Sequence, residues 1–333
     1  MNSSTSVIPV TIAGTGSYVP EHILTNDELA KVVDTSDEWI TTRTGIKERR
    51  IAAKDEFTSD MATKAAEKAL EQADIAAEDI ELIIVATITP DTPTPATACH
   101  VQAKLGSFSA VAFDISAACS GFLYAMKIAK RLISDGAYNN ALIIGAEKLS
   151  SATNWEDRNT CVLFGDGAGA AVLRKSQDGE GRILATEMGT DGRHANILEI
   201  KGGGSACPIT PDNAEQNLQT LSMQGREVFK LAVNAMRTAA ETVIERAGLT
   251  PDDISLIVPH QANLRIIDAI ADRLSVPNEK VYVNLHKYGN TSAAAVAIAL
   301  DEAHREGRFK RGDNIILVVF GAGLTWAATA IEW

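Results

Sequence analysis

Along the 333-residue chain, apolar runs of strand length alternate with stretches whose apolar positions recur every three or four residues. The runs are Ile80 to Ile88, Val111 to Ile115, Ala141 to Ile144, Ile254 to Val258 and Ile315 to Phe320. In the first, Leu82, Ile83, Ile84 and Val85 follow one another without a polar break. A strand of that kind has no face suited to water, so both faces must be covered. The helical pattern is clearest in Met61 to Gln72 and Phe122 to Ser134. Their alternation predicts an α/β fold with helices over the sheets.

The pattern also repeats. Ala65, Ala66, Glu67, Glu71, Ala73, Asp79, Ile80, Leu82 and Ile83 are matched, at one constant offset, by Ala239, Ala240, Glu241, Glu245, Ala247, Asp253, Ile254, Leu256 and Ile257. Alanine and glutamate are common on any helix, but this match runs without a gap through the turn into the strand. Phe164-Gly165-Asp166-Gly167 and Phe320-Gly321-Ala322-Gly323 echo one another late in each half. Duplication is the simpler account. The reading divides the chain into a first half, 1–176, a connection, 177–221, and a second half, 222–333. Gln177 to Leu221, with Gly202-Gly203-Gly204-Ser205, reads as a surface connection.

Composition narrows the function. A formal net charge of −12 argues against nucleic acid as a partner. An acidic partner would have to be met by a local basic patch. Cys99, Cys119, Cys161 and Cys207 form no CxxC pair, so zinc and redox dithiols are not expected. The segment Met1 to Gly14 shows no signal-peptide pattern. The longest apolar run, Ala293 to Leu300, is too short for a bilayer. These features predict a cytoplasmic protein.

Chemistry concentrates at strand-to-helix turns. The run Val111 to Ile115 leads through Ser116-Ala117-Ala118-Cys119-Ser120-Gly121 into a helical pattern. Most cysteines are simply small buried hydrophobes. At a helix start, however, free N–H groups and the helix dipole favour an anion, which predicts a lowered thiol pKa. Small neighbours leave room for a substrate, so Cys119 is the candidate nucleophile. His260 follows a buried strand directly, in Pro259-His260-Gln261-Ala262-Asn263, where α/β folds place their sites. Its alternative is a structural histidine. Asn290, in Gly289-Asn290-Thr291-Ser292-Ala293, is suited to capping a helix and to donating to an oxyanion. The turn Phe320-Gly321-Ala322-Gly323 offers backbone N–H groups for an oxyanion hole.

Taken in order, these motifs resemble the β-ketoacyl-[acyl-carrier-protein] synthase III family of thiolase-superfamily condensing enzymes. The resemblance adds Asp37-Glu38-Trp39-Ile40, Arg43-Thr44-Gly45-Ile46 and Phe164-Gly165-Asp166-Gly167-Ala168-Gly169-Ala170, and it covers nearly the whole chain. It implies a thiolase-like α/β fold, a duplicated αβαβα stack. It implies a catalytic triad of Cys119, His260 and Asn290, with the oxyanion held by the N–H groups of Cys119 and Ala322. The implied reaction joins an acyl-CoA primer, such as acetyl-CoA, to malonyl-acyl carrier protein through an acyl-Cys119 intermediate. It gives 3-oxoacyl-carrier protein, CoA and CO2, initiates fatty-acid synthesis, and uses no cofactor. Position by position, Trp39, Arg43, Thr44, Arg158, Gly225, Phe229, Ala262 and Asn263 match CoA contacts. Gln261, Ala262, Asn263, Leu264, Arg265 and Lys230 match carrier-protein contacts. Thr94 and Phe320 match the acyl pocket. A homodimer is implied.

Two departures from the family pattern matter. Asp268 and Asp272 put acid on the docking helix, weakening the basic patch that Arg226, Lys230, Arg265 and Arg273 would form. Thr94 replaces a phenylalanine that shortens the acyl pocket in some relatives, which implies room for a longer or branched primer. Among rivals, a secondary-metabolite condensing enzyme would use the same triad. A papain-like protease shares only the order Cys, His, Asn and lacks the duplication. A non-catalytic member of the fold would be expected to have lost the thiol.

Overall fold

The computed structural model describes residues 8–333, so part of the Met1 to Gly14 segment lies outside the described residues. Nine strands form two main sheets. The first holds β1 (Val10–Tyr18), β2 (Leu82–Ala86), β3 (Val111–Ile115), β4 (Asn140–Lys148) and β5 (Asp166–Lys175), in the order β1-β5-β4-β2-β3. The second holds β6 (Arg182–Thr190), β7 (Ile254–Pro259), β8 (Asn314–Gly321) and β9 (Thr325–Glu332), in the order β7-β8-β9-β6. Strand β2 runs parallel to both β3 and β4, while β4 with β5 and β5 with β1 are antiparallel. In the second sheet β7 and β8 are parallel, and β8 with β9 and β9 with β6 antiparallel.

The two orders superimpose when read from the β1 and β6 ends. What corresponds to β3 in the second sheet is one parallel bridge between Ile257 and Val281. The matched sequence segments occupy equivalent places: helix Thr58–Ala73 and helix Gly225–Arg246 each lead through a short 3-10 turn into a parallel strand. The segment read as a surface connection behaves differently from that expectation. Its residues Arg182–Thr190 form an edge strand paired with β9. Their side chains alternate between buried and exposed positions rather than forming an apolar run, so a search for buried runs passes over them.

Seven helices are labelled α1 (Asp37–Thr44), α2 (Thr58–Ala73), α3 (Thr97–Leu105), α4 (Gly121–Ser134), α5 (Gly225–Arg246), α6 (Leu264–Leu274) and α7 (Ala293–Arg305). Helix α2 covers the outer face of the first sheet, and α5 the outer face of the second with α6 packed on it. Helices α4 and α7 lie between the sheets. The result is five layers, αβαβα, with one apolar core in the middle and one under each outer helix layer.

A helix clamped between two sheets must be thin. Every residue from Ala293 to Leu300 is buried, and five of these eight are alanine. Strand β4 matches it with Gly145, where an added Cβ would lie 2.2 Å from the Ala293 carbonyl oxygen. Close approach of backbones, rather than turn geometry, therefore requires glycine there. Strand β3 is the less apolar one: Val111 is 49% exposed, because β3 ends its sheet in the chain.

Candidate active site

Strands β3, β7 and β8 end at one region, where Cys119, His260 and Ala322 follow them. The chain leaves β3, makes the 3-10 turn Ala118–Ser120 and enters α4. Ala118 takes φ 46, a left-handed conformation that L-residues seldom adopt, and so turns the chain sharply at the thiol. The position at the helix start is the one expected from sequence. The expected lowering of the thiol pKa is not found. Burial pushes the Cys119 thiol up to about 12, and the nearby Glu147 carboxylate pushes the same way against a side-chain hydrogen bond between Cys119 and Ser292. Desolvation outweighs the helix start because the thiol is nearly sealed from water, at 8% exposure.

His260 follows β7, its backbone N–H donating to Val318 O at 2.8 Å. The ring is buried, and burial holds its pKa down at about 4, so the imidazole is neutral at ordinary pH. Nδ1 is sealed among protein atoms without a partner among the described residues. Nε2 is then the ring nitrogen left for a substrate.

Asn290 is tied by its backbone to the first half: its N–H donates to Leu163 O at 2.8 Å, and its carbonyl accepts from Gly165 N–H at 3.1 Å. It does not cap α7, whose N-cap is Ser292. Instead its side-chain Oδ1 accepts from Ser292 N–H at 2.8 Å. That leaves the amide NH2 free to donate.

All three side chains line a single cavity of about 640 Å³. Phe320, Gly321 and Ala322 line it too, from the end of β8. An added Cβ at Gly321 would lie 2.7 Å from the Cys119 backbone nitrogen, so only glycine keeps that strand end against the Cys119 turn. Further along the same cavity are Arg43, Thr44, Gly225, Arg226, Phe229, Ala262, Asn263 and Arg265. Asn263 caps α6 by accepting from Arg265 N–H at 3.0 Å, and its Nδ2 donates to Arg43 O at 3.2 Å. Arg265 in turn donates to Thr42 O at 3.1 Å. These bonds lock the rim of the cavity to α1.

Other expected residues lie elsewhere. Trp39 stands beside the rim between two guanidinium groups, Arg43 at 4.5 Å and Arg158 at 5.1 Å from its ring centroid. Arg158 also donates to Asp34 O at 2.9 Å. Lys230 is exposed on α5, and Leu264 is half-buried on α6. Thr94 is exposed and outside the cavity. Its neighbours Thr92 and Pro93 line an adjoining cavity of about 460 Å³ that shares Ile88, Ala118, Leu221 and Ala322 with the first.

Gln261 corrects the sequence reading. It is 1% exposed, its Nε2 donates to Pro259 O and Tyr282 O, and its Oε1 accepts from Asn284 and Leu285 N–H. The side chain ties β7 to the segment before α7 and has no surface to offer a carrier protein. Its place in a polar run, before half-buried Ala262 to Leu264 and exposed Arg265, hid that role.

Sequence reasoning also passed over Glu147 and Ser292. Glu147 is wholly buried at the end of β4, where burial pushes its carboxyl up to about 7. Ser292 lines the cavity and donates its hydroxyl to Glu147 Oε1 at 3.0 Å. The only sequence signal was an acid three residues beyond the apolar run Ala141 to Ile144. Among the described residues, no group of His, Cys, Asp or Glu is placed to hold a metal, and no helix is long and apolar enough to cross a membrane.

The duplicated five-layer architecture is that of the thiolase-like condensing enzymes. Models of 3-oxoacyl-[acyl-carrier-protein] synthase III match residues 113–192, and of its C-terminal part residues 244–333. β-Ketoacyl-[acyl-carrier-protein] synthase III of Caldanaerobacter subterraneus subsp. tengcongensis is 59% identical over 97% of each chain. The same-named protein of Clostridioides difficile is 54% identical over 97% of this chain and 98% of its own. The crystal structure of 3-oxoacyl-[acyl-carrier-protein] synthase III from Aquifex aeolicus matches with a TM-score of 0.90 and 52% identity, covering 97% of this chain and 100% of that one. The chain belongs to the β-ketoacyl-[acyl-carrier-protein] synthase III family.

Proposed function

We propose that the protein performs a decarboxylative Claisen condensation between an acyl-CoA primer and malonyl-acyl carrier protein, through an acyl-Cys119 intermediate. The observation that carries this is the convergence of Cys119, His260, Asn290 and Ala322 on one cavity whose rim bears Arg43, Arg226 and Arg265. Acetyl-CoA or a similar primer enters as a substrate. Its phosphates meet the rim guanidinium groups, and its pantetheine passes Gly225, Phe229, Ala262 and Asn263. The adenine reaches Trp39 only if Arg158 swings off the indole it now stacks on.

At rest the thiol is protonated and the imidazole neutral. Proton loss from Cys119 is therefore coupled to attack on the thioester carbonyl, with His260 taking the proton. The oxyanion is held by the N–H groups of Cys119 and Ala322, where preorganised donors stabilise developing charge. Collapse releases CoA, which receives the proton. Malonyl-carrier protein then loses CO2, and its electron pair forms an enolate. His260 and Asn290, both neutral donors, stabilise the enolate oxygen without trapping it as an ion pair. The enolate carbon attacks acyl-Cys119 and expels the Cys119 thiolate, which takes one proton from solvent, the proton that the overall reaction consumes. The products are 3-oxoacyl-carrier protein and CO2, and each bond change is thioester or carbon-acid chemistry.

The carrier protein is taken to dock on Arg265, Leu264 and Lys230 beside the rim. Helix α6 also presents Asp268, whose carboxyl is pushed up by burial and by Asp272. The enzyme is proposed to act in the cytoplasm as a homodimer, with Thr94 reaching the partner's acyl pocket. Intact-mass and peptide mass spectrometry after brief incubation with acetyl-CoA tests the core of this reading. An acetyl adduct on Cys119, lost in Cys119→Ala, is expected. An adduct on Cys99, Cys161 or Cys207 would overturn it.

A further inference from the structure

Glu147 is a buried ionisable group that the scheme above does not use. Its carboxylate accepts from Thr87 Oγ1 at 3.1 Å, Ile88 N–H at 3.1 Å, Thr89 N–H at 3.2 Å, Thr89 Oγ1 at 2.6 Å and Ser292 Oγ at 3.0 Å. The two backbone N–H groups can only donate, so the carboxyl oxygens are held as acceptors there, and the three hydroxyls complete the set. Four of the donors come from Thr87 to Thr89, directly after β2. The fifth comes from the second half of the chain, in the loop that carries Asn290.

Ser292 has φ 47 and ψ −119. Glycine enters that region freely and serine rarely. The hydroxyl bond to Glu147 holds it there. In this conformation Ser292 N–H points at Asn290 Oδ1, 2.8 Å away. An N–H can only donate, so the bond decides which end of the Asn290 amide faces inward. The oxygen is taken by Ser292, and the NH2 is left for the cavity.

We propose that Glu147 and Ser292 are positioning residues for Asn290. The carboxylate fixes the backbone of Ser292, and Ser292 fixes the amide that meets the enolate oxygen. This rests on the reading of Asn290 as enolate donor given above. It follows that decarboxylation and condensation depend on the pair more strongly than formation of acyl-Cys119, which the pair touches only through the thiol's pKa.

Two substitutions at one position separate this from a packing role. Ser292→Ala removes the tie to Glu147 and leaves a side chain unsuited to φ 47. Ser292→Gly removes the same tie but adopts φ 47 without strain. In Ser292→Ala, kcat for condensation should fall about 10- to 100-fold, as expected for misplacement of a catalytic group. Acyl-Cys119 should still form from acetyl-CoA. Ser292→Gly should condense about tenfold faster than Ser292→Ala. Glu147→Gln should slow condensation strongly in the parent chain and much less in the Ser292→Gly background, a coupling read from the double-mutant cycle. Condensation at the parental rate in Ser292→Ala, no recovery in Ser292→Gly, or an equal Glu147→Gln effect in both backgrounds would each overturn the proposal. Should Ser292→Ala not fold, the Glu147→Gln cycle decides alone. Asn290→Ala is the control on the underlying reading. If it condenses at the parental rate, the assigned role of Asn290 fails, whatever the variants at 292 do.

Discussion

Gly321 is where a single methyl group should disable the site. It ends β8 against the nucleophile's turn. In Gly321→Ala the new Cβ would lie 2.7 Å from the Cys119 nitrogen, 3.2 Å from the Cys119 Cβ and 3.2 Å from the Ser120 nitrogen. The nearest of these is backbone, which cannot rotate aside. Restoring ordinary contact at 3.4 Å means moving the two segments about 0.7 Å apart, the difference between 3.4 and 2.7 Å. One segment carries the Cys119 N–H and the other the Ala322 N–H, so the spacing of the two donors opens with them. Oxyanion donors work at about 2.7–3.1 Å, and a 0.7 Å shift takes one of them out of range. Losing one donor costs about 10²–10³ in kcat, or about 3–4 kcal/mol. Overpacking adds a stability loss of about 1–3 kcal/mol. The two effects are separable by measuring acyl-Cys119 formation by rapid quench and mass spectrometry, well below the melting temperature of the variant. A folded Gly321→Ala protein that acylates at the parental rate would refute the reasoning.

His260 makes stability depend on pH. Burial lowers its pKa from 6.5 to about 4, so between those values the unfolded chain binds a proton that the folded chain refuses. Stability is therefore full above about pH 6.5 and falls as the pH drops towards 4. The loss over that window is about 3 kcal/mol at about 1.4 kcal/mol per pH unit. Urea midpoints at pH 7 and pH 4.5 should differ less in His260→Gln than in the parent, and equal differences would remove His260 as the cause. Primer choice bears on Thr94: isobutyryl- and octanoyl-CoA should acylate Cys119 alongside acetyl-CoA, and an acetyl-only enzyme would show that a small residue at 94 does not lengthen the pocket.

Much of this site was legible before any coordinates. Cys119, His260 and Asn290 each stand at a turn into polar or small residues, and such turns leave a local mark in the chain. Gln261 and Glu147 left no mark that could be read correctly. Gln261 sits in a polar run, yet its amide is spent on Pro259, Tyr282, Asn284 and Leu285. Glu147 looks like a strand-end charge until Thr87, Thr89 and Ser292 close around it. The thiol shows the same limit from another side. Local sequence predicts the pull of a helix start, but desolvation depends on how the second half covers the first, and it reverses the sign.

The sequence by itself determined the α/β class and the duplication, and singled out three candidate side chains. Those features rest on periodicity, spacing and short turns, which act between near neighbours. Only the tertiary structure decided that β6 joins the second sheet, that the last strand of that sheet shrinks to one bridge, and that Cys119, His260 and Asn290 share one cavity. It also decided the partners of Glu147. These outcomes depend on strand pairing and burial between residues far apart in the chain, where the free energy lies in surfaces that meet only after folding.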